Sequence, residues 1–165
     1  MTTTDRLALP LLAAGQAQKE VTHNEALALV DLMLMPVVQS VAPAGVPAAP
    51  ALGQCWIVGS SASGAWSGQD GALAGWTAGG WRFAAPFDGM AVWSLADGMS
   101  AQHVGGLWRI GSANVSQLSI SGIKVVGAQQ AAIAAPSSGV VIDAEARVAI
   151  SALLTALRAH GLIAS

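Results

Sequence analysis

The stretch Leu73-Ala74-Gly75-Trp76-Thr77-Ala78-Gly79-Gly80-Trp81-Arg82-Phe83-Ala84 decides the class of fold. Two short runs, Leu73–Trp76 and Trp81–Ala84, flank Thr77-Ala78-Gly79-Gly80, which reads as a four-residue hairpin loop. Upstream, Cys55–Val58 reads as a further strand. Downstream, Met90–Leu95 and Met99–Val104 pair across Ala96-Asp97-Gly98, with Asp97-Gly98 at the turn. Gly105-Gly106 then turns the chain into Leu107–Ile110. Gly79-Gly80-Trp81-Arg82-Phe83 is echoed by Gly105-Gly106-Leu107-Trp108-Arg109-Ile110, a repeated hairpin style without a constant period. Residues 53–113 therefore read as a small antiparallel meander that holds all six tryptophans.

The flanks read differently. In residues 1–41, Thr22-His23-Asn24-Glu25 fits a capping box, with Thr22 accepting the Glu25 amide and Glu25 reaching back. Val21 would pack on Ala26 as a staple, and the helix would run to about Met35, ended by Pro36. Its apolar residues lie almost all round, so it is expected to be buried from several sides, by its own domain or by a neighbouring subunit. Residues 42–52, with Pro43, Pro47 and Pro50, form a stiff extended connector. Residues 114–142 are a β-arm: Leu118, Ile120, Ile123 and Val125 alternate about Gly122, which marks a turn or bulge. Pro136–Gly139 follow as a turn and Val140–Ile142 as a short strand.

Residues 143–165 are the clearest helix. Asp143 is the N-cap, Glu145 lies in the first turn, Arg158 and His160 lie in the last, and Gly161 is the stop. Ala146, Ile150, Leu153 and Leu157 step by four, three and four into one apolar seam, suited to packing on strands or on a threefold axis. The expected class is α+β, mainly β: a small antiparallel Trp/Gly-rich domain flanked by an N-terminal helix and a C-terminal helix.

Composition narrows the function. The chain has 165 residues, 53% of them hydrophobic and only 10% charged, so a core forms without staples and disorder is excluded. A surface this apolar is expected to be hidden against further copies or a larger assembly. Seven Lys and Arg against nine Asp and Glu, with no basic run, exclude a nucleic-acid partner. The apolar stretch Ala26–Val38 is broken by Asp31 and Pro36 and falls short of the ~20 residues of a membrane span. At the start Asp5 cancels Arg6, and the apolar run holds Pro10, so no cleaved leader is expected. One cysteine, Cys55, excludes an internal disulfide and a Cys-rich zinc site; as a strand residue beside Trp56 it is expected to be buried.

Catalytic motifs fail on spacing. Gly59-Ser60-Ser61-Ala62-Ser63-Gly64 lacks the glycine two residues after Ser61 that a nucleophile elbow needs, and Ala65-Trp66 stand where a phosphate loop needs Lys-Ser/Thr. His23, His103 and His160 stand apart from one another, so no metal or other cofactor is expected. Asp70 and Asp88 could serve as the paired carboxylates of sugar hydrolysis. Yet Asp70-Gly71, Asp88-Gly89 and Asp97-Gly98 are all ordinary turn dipeptides, and the chain is not expected to be an enzyme.

The tryptophans carry the functional expectation. An indole stacks on the C–H face of a pyranose, or it fills a core. Trp66, Trp76 and Trp81 border loops with Gln69 and Asp70, and these five residues form the expected carbohydrate-binding set. Trp56, Trp93 and Trp108 sit mid-strand and are expected in the core.

Nearly the whole chain resembles a known family. Residues 13–27, Ala-Ala-Gly-Gln-Ala-Gln-Lys-Glu-Val-Thr-His-Asn-Glu-Ala-Leu, look like the opening of the domain of unknown function 2793 family. So do Gly53–Gly59, Trp66-Ser67-Gly68, Ala74-Gly75-Trp76, Gly80–Phe83 and Pro86-Phe87-Asp88-Gly89, although glycine-rich hairpins recur in many β-modules. The tail, Gly122–Gln130 and Ala144–Leu162, resembles the end of fibre proteins of the same kind. The resemblance implies a structural protein of a phage or gene-transfer-agent particle, assembled in the bacterial cytoplasm: a head spike, fibre tip or tail fibre. It implies contact with other virion proteins and with host surface polysaccharide, and it supplies no catalytic residues. A homo-oligomer, with a trimer favoured, is the expected state. The alternatives are a virion adaptor without a ligand and a small glycan-degrading enzyme using Asp70 and Asp88.

Overall fold

The computed structural model describes residues 2–13, 15, 19–137 and 143–164, and the chain divides into two compact units, Met1–Ala113 and Asn114–Ser165. The class is α+β, mainly β, with two helices and nine strands among the described residues.

In the first unit, α1 (Lys19–Met33) precedes β1 (Val37–Val38), β2 (Cys55–Ile57), β3 (Leu73–Thr77) and β4 (Gly80–Ala84). Then follow β5 (Ala91–Ser94), β6 (Met99–Val104) and β7 (Leu107–Ile110). The single expected meander is two sheets, ordered β2-β3-β4 and β1-β5-β6-β7. What joins them is the segment after α1. Pro36 and Val38 carbonyls accept from Trp93 and Leu95 of one sheet. Three residues on, Gln39 and Ala42 amides donate to Cys55 and Ile57 carbonyls of the other, at 2.8 and 2.9 Å. Residues expected at the end of a helix and the start of a stiff extended connector therefore pair with both sheets.

Period-two alternation sorts each strand of β2-β3-β4 into two faces. Cys55, Ile57, Leu73 and Ala84 join Leu32 of α1 with Val38, Val92 and Ala101 in one core between helix and sheets. Burial pushes the Cys55 thiol up to about 11, so it is an inert apolar filler, as expected. Trp56, Ala74, Trp76, Trp81 and Phe83 share the opposite face in a second, aromatic core. Gly75 lets α1 lie close, since a Cβ there would sit 2.6 Å from Leu32 Cδ1.

The expected capping box does not form. Helix α1 already includes Lys19, so Thr22 is interior. Glu25 instead pairs both oxygens with Arg82 of β4, at 2.7 and 2.8 Å. The β3–β4 loop is also tighter than expected: Thr77 and Gly80 pair directly, leaving Ala78-Gly79 as a two-residue turn. The amino-terminal residues belong to this unit as well. Asn24 clamps Leu12 by donating to its carbonyl and accepting from its amide, and Asp5 accepts from Ala78.

In the second unit, β8 (Leu118–Ile120) and β9 (Ile123–Val126) form a hairpin turning at Ser121-Gly122, with the bulge at Leu118/Ser119. Helix α2 (Ala144–Ala159) begins at Asp143, whose carboxylate accepts from Ala146 at 2.8 Å, and Gly161 follows with φ +67°. Both ends are as the sequence predicts, because capping chemistry is local. The expected strand Val140–Ile142, the second half of the Pro136–Gly139 turn, and Ala14 and Gln16–Gln18 of the opening motif lie outside the described residues.

Candidate functional site around the serine-rich loop

Between β2 and β3 the chain crosses the aromatic face as Gly59–Ser63 and a 3-10 turn, Gly64–Trp66. Asp70 fixes this crossing. Its carboxylate accepts from Ser61 N at 2.7 Å and Ala62 N at 2.9 Å, which suits Ser61 at φ +58°. The Ala62 and Ser61 amides together hold the Asp70 carboxyl below the usual carboxylate range. Asp70 is thus a loop clamp that reaches back eight and nine residues, a wider span than the local Asx turn its Asp-Gly pair suggests.

The clamp seats Trp66 on the sheet. Trp66 is only 2% exposed, which corrects the expectation that it is displayed. It packs edge-on to Trp81 at 5.2 Å and tilted to Trp56 at 6.4 Å, while Trp81 lies 5.1 Å from Trp76. The three expected binding tryptophans are therefore brought together, but as a cluster with Trp66 inside and Trp76 and Trp81 half-buried at its margin. Gln69 is half-buried too, and its backbone bridges Trp66 O and Ala72 N.

The mid-strand tryptophans divide. Trp56 is buried, as expected. Trp108 is half-buried, and its Nε1 donates to Gly71 O at 2.8 Å. Trp93 is 45% exposed, against expectation, because among the described residues of its unit nothing covers the outer face of β1-β5-β6-β7. Asp88, the other candidate carboxylate, lies 3.1 Å from His103 Nδ1. The Gly105 amide, ahead of Gly106 and His103, holds its carboxyl low. Both candidate carboxyls are thus kept ionised, whereas a general acid for glycoside cleavage needs a raised pKa.

Two hollows flank the loop. A cleft of about 330 Å³ is lined by Asp70, Gly71, Leu107 and Trp108, and a smaller pocket of about 70 Å³ is lined by Trp66 with Val46 and the loop serines. Gly59 and Ser60 line both. Sequence reasoning placed Asp70 and Trp66 here but missed Trp108, whose Gly-Gly-Leu-Trp hairpin brings it from another sheet.

The sequence pattern of the family described as "Protein of unknown function (DUF2793)" matches residues 23–109. The chain belongs to the DUF2793 family. The DUF2793 stretch runs from within α1 to β7 and so takes in the loop, both hollows and all six tryptophans. The amino-terminal arm and the second unit lie outside the DUF2793 match. Among curated proteins none matches the chain.

Proposed function

We propose that this chain is a structural component of a phage or gene-transfer-agent particle, a head spike, fibre tip or tail fibre, that self-assembles and binds host surface polysaccharide without cutting it. The observation that carries the reading is the second unit. In α2 only Leu154 is buried, while Val148, Ile150 and Leu153 are exposed. In the hairpin, Leu118, Ile120, Ile123 and Val125 are all at least half exposed. A two-stranded hairpin with a bare apolar face is marginal alone. Exposed apolar surface of this kind is the mark of an interaction site. The Ala146–Ile150–Leu153–Leu157 seam carries no charge, so copies can meet along it, and a threefold arrangement is favoured.

The cleft beside Trp108 supports the polysaccharide half, since it joins an indole with Asp70 and Ser60 and is of a size to take a sugar ring. The absence of cutting is supported by the backbone amides that lower both the Asp70 and the Asp88 carboxyl, where a general acid needs a raised one. The adaptor without a ligand is favoured by one fact, the burial of Trp56 and Trp66.

Light scattering together with acrylamide quenching of tryptophan fluorescence, with and without host capsular polysaccharide, tests the reading. A multimeric mass and a quenchable fraction that falls on adding polysaccharide are expected. A monomer would overturn the assembly half. A multimer whose quenching ignores the polysaccharide would leave the adaptor.

A further inference from the structure

The outer face of the four-stranded sheet joins an open indole to an unpaired cation. Register sets Val37, Trp93 and Ser100 side by side across β1, β5 and β6, and Ala91, Gln102 and Arg109 side by side across β5, β6 and β7. Their strand neighbours Val38, Val92 and Ala101 are buried in the core, so these six side chains point away from it. Trp93 is 45% exposed, and the side chains beside it, Ala91 and Ser100, are small. Arg109 is exposed on β7, the edge strand. Two strand spacings and a two-residue step separate Trp93 from Arg109, about 12 Å in an ordinary sheet, with Ser100 and Gln102 between them.

Charge decides what fits this face. None of the four strands contains Asp or Glu, and among the described residues Arg109 has no ion-pair partner. A second copy meeting the face about a twofold axis would set cation against cation and bury both unpaired. A neutral partner would strip the guanidinium of water and return nothing. A carboxylate meets it in the two-point geometry that guanidinium favours. Between cation and indole, the Ser100 hydroxyl and the Gln102 amide offer donors and acceptors suited to a ligand rich in hydroxyl groups.

We propose that this face binds an acidic polysaccharide: one pyranose ring stacks on Trp93, hydroxyl groups of the polymer bond Ser100 and Gln102, and the carboxylate of a uronic-acid unit pairs with Arg109. This rests on the polysaccharide-binding reading and adds the class of sugar. It also adds a second surface, on the side of β7 opposite Trp108.

The test is a titration of the ¹⁵N-labelled full chain, reading the six indole N–H signals and the arginine Nε–H signals. The probes are galacturonate oligomers, mannuronate oligomers and host capsular polysaccharide, each against the same material with its carboxyl groups reduced to alcohols. A carboxylated probe is expected to shift the Trp93 and Arg109 signals together, and its reduced form to bind roughly two- to fivefold more weakly, as suits an exposed charge pair. Arg109→Gln is expected to abolish that difference, and Trp93→Ala to weaken both forms about tenfold. Should Trp93→Ala not fold, Arg109→Gln, which leaves the core untouched, carries the comparison. Equal binding of carboxylated and reduced forms overturns the inference and leaves the binding reading standing. A response at Trp108 without Trp93 does the same, because the ring then lies in the cleft. If Arg109 answers without Trp93, the contact is charge alone and the inference falls. If Trp93 is shielded from acrylamide in a multimer before any sugar is added, a second copy covers the face and the inference falls. If no indole responds to any probe, host polysaccharide included, the inference and the binding reading fall together.

Discussion

Asp31 shows how much one side chain can organise. It is 5% exposed, and its carboxylate accepts from the backbone amides of Arg6 at 2.9 Å and Leu7 at 2.6 Å. Arg6 in turn donates to the carbonyls of Asp31, Leu32, Leu34 and Met35, which satisfies the open end of α1. Asp31→Ala strands two amides and is expected to lower stability by about 1–3 kcal/mol in urea unfolding. Gly53 is the second such point. Its φ is +79°, and a Cβ would stand 2.8 Å from Asp5 O. Gly53→Ala is expected to cost more than Gly68→Ala, where φ is +75° but nothing lies within 4 Å. The left-handed backbone alone accounts for about 1–2 kcal/mol in each, and the excess at Gly53 measures the arm's packing. Equal losses would show that the arm contributes nothing there. In the sequence Asp31 reads only as a break in an apolar run, because its partners are 24 and 25 residues away.

Among the elements, those governed by near neighbours were legible and those governed by distant ones were not. The hairpins β5–β6, β6–β7 and β8–β9 stand where turn residues and alternation predict them. Strand β1 is only two residues long, directly follows a proline and has no pattern of its own; only its pairing with β5 makes it a strand. The capping box failed for the converse reason. A local match at Thr22 and Glu25 lost to Arg82, which is 57 residues away and offers a two-point ion pair. The loop held by Asp70 gives a pH prediction. Its carboxyl pKa is lowered in the folded state, so the clamp is complete above the unfolded value, about 3.9, and is lost as pH falls through the lowered one. The amide protons of Ser61 and Ala62 are expected to titrate together with a midpoint below about 3.9, and Asp70→Ala is expected to abolish that titration. A midpoint at or above that value would mean the clamp is not formed in solution.

For the molecule as a whole, the second unit leaves bare the apolar side chains of both its hairpin and its helix, among them Ile120, Ile123, Val148 and Leu153. Replacing Ile150 and Leu153 together by Glu places two charges in the proposed seam, where each would be desolvated without a partner. Light scattering is expected to show a drop from multimer to monomer, with the first unit's far-ultraviolet β signal retained. An unchanged mass would place self-association elsewhere. The sequence by itself determined the mainly-β class, the turns at Ser121-Gly122 and Gly105-Gly106, both ends of α2 and the apolar seam along it. These depend on backbone preferences and side chains within a few residues, and such forces act wherever the segment is placed. Only the tertiary structure decided that there are two sheets, that residues 36–42 join them, and which indoles are hidden. Trp66 was expected in the open and Trp93 in the core, and the reverse holds, because burial belongs to whatever packs on a face: the crossing pinned by Asp70 seats the first on the sheet, and among the described residues of its unit nothing covers the second.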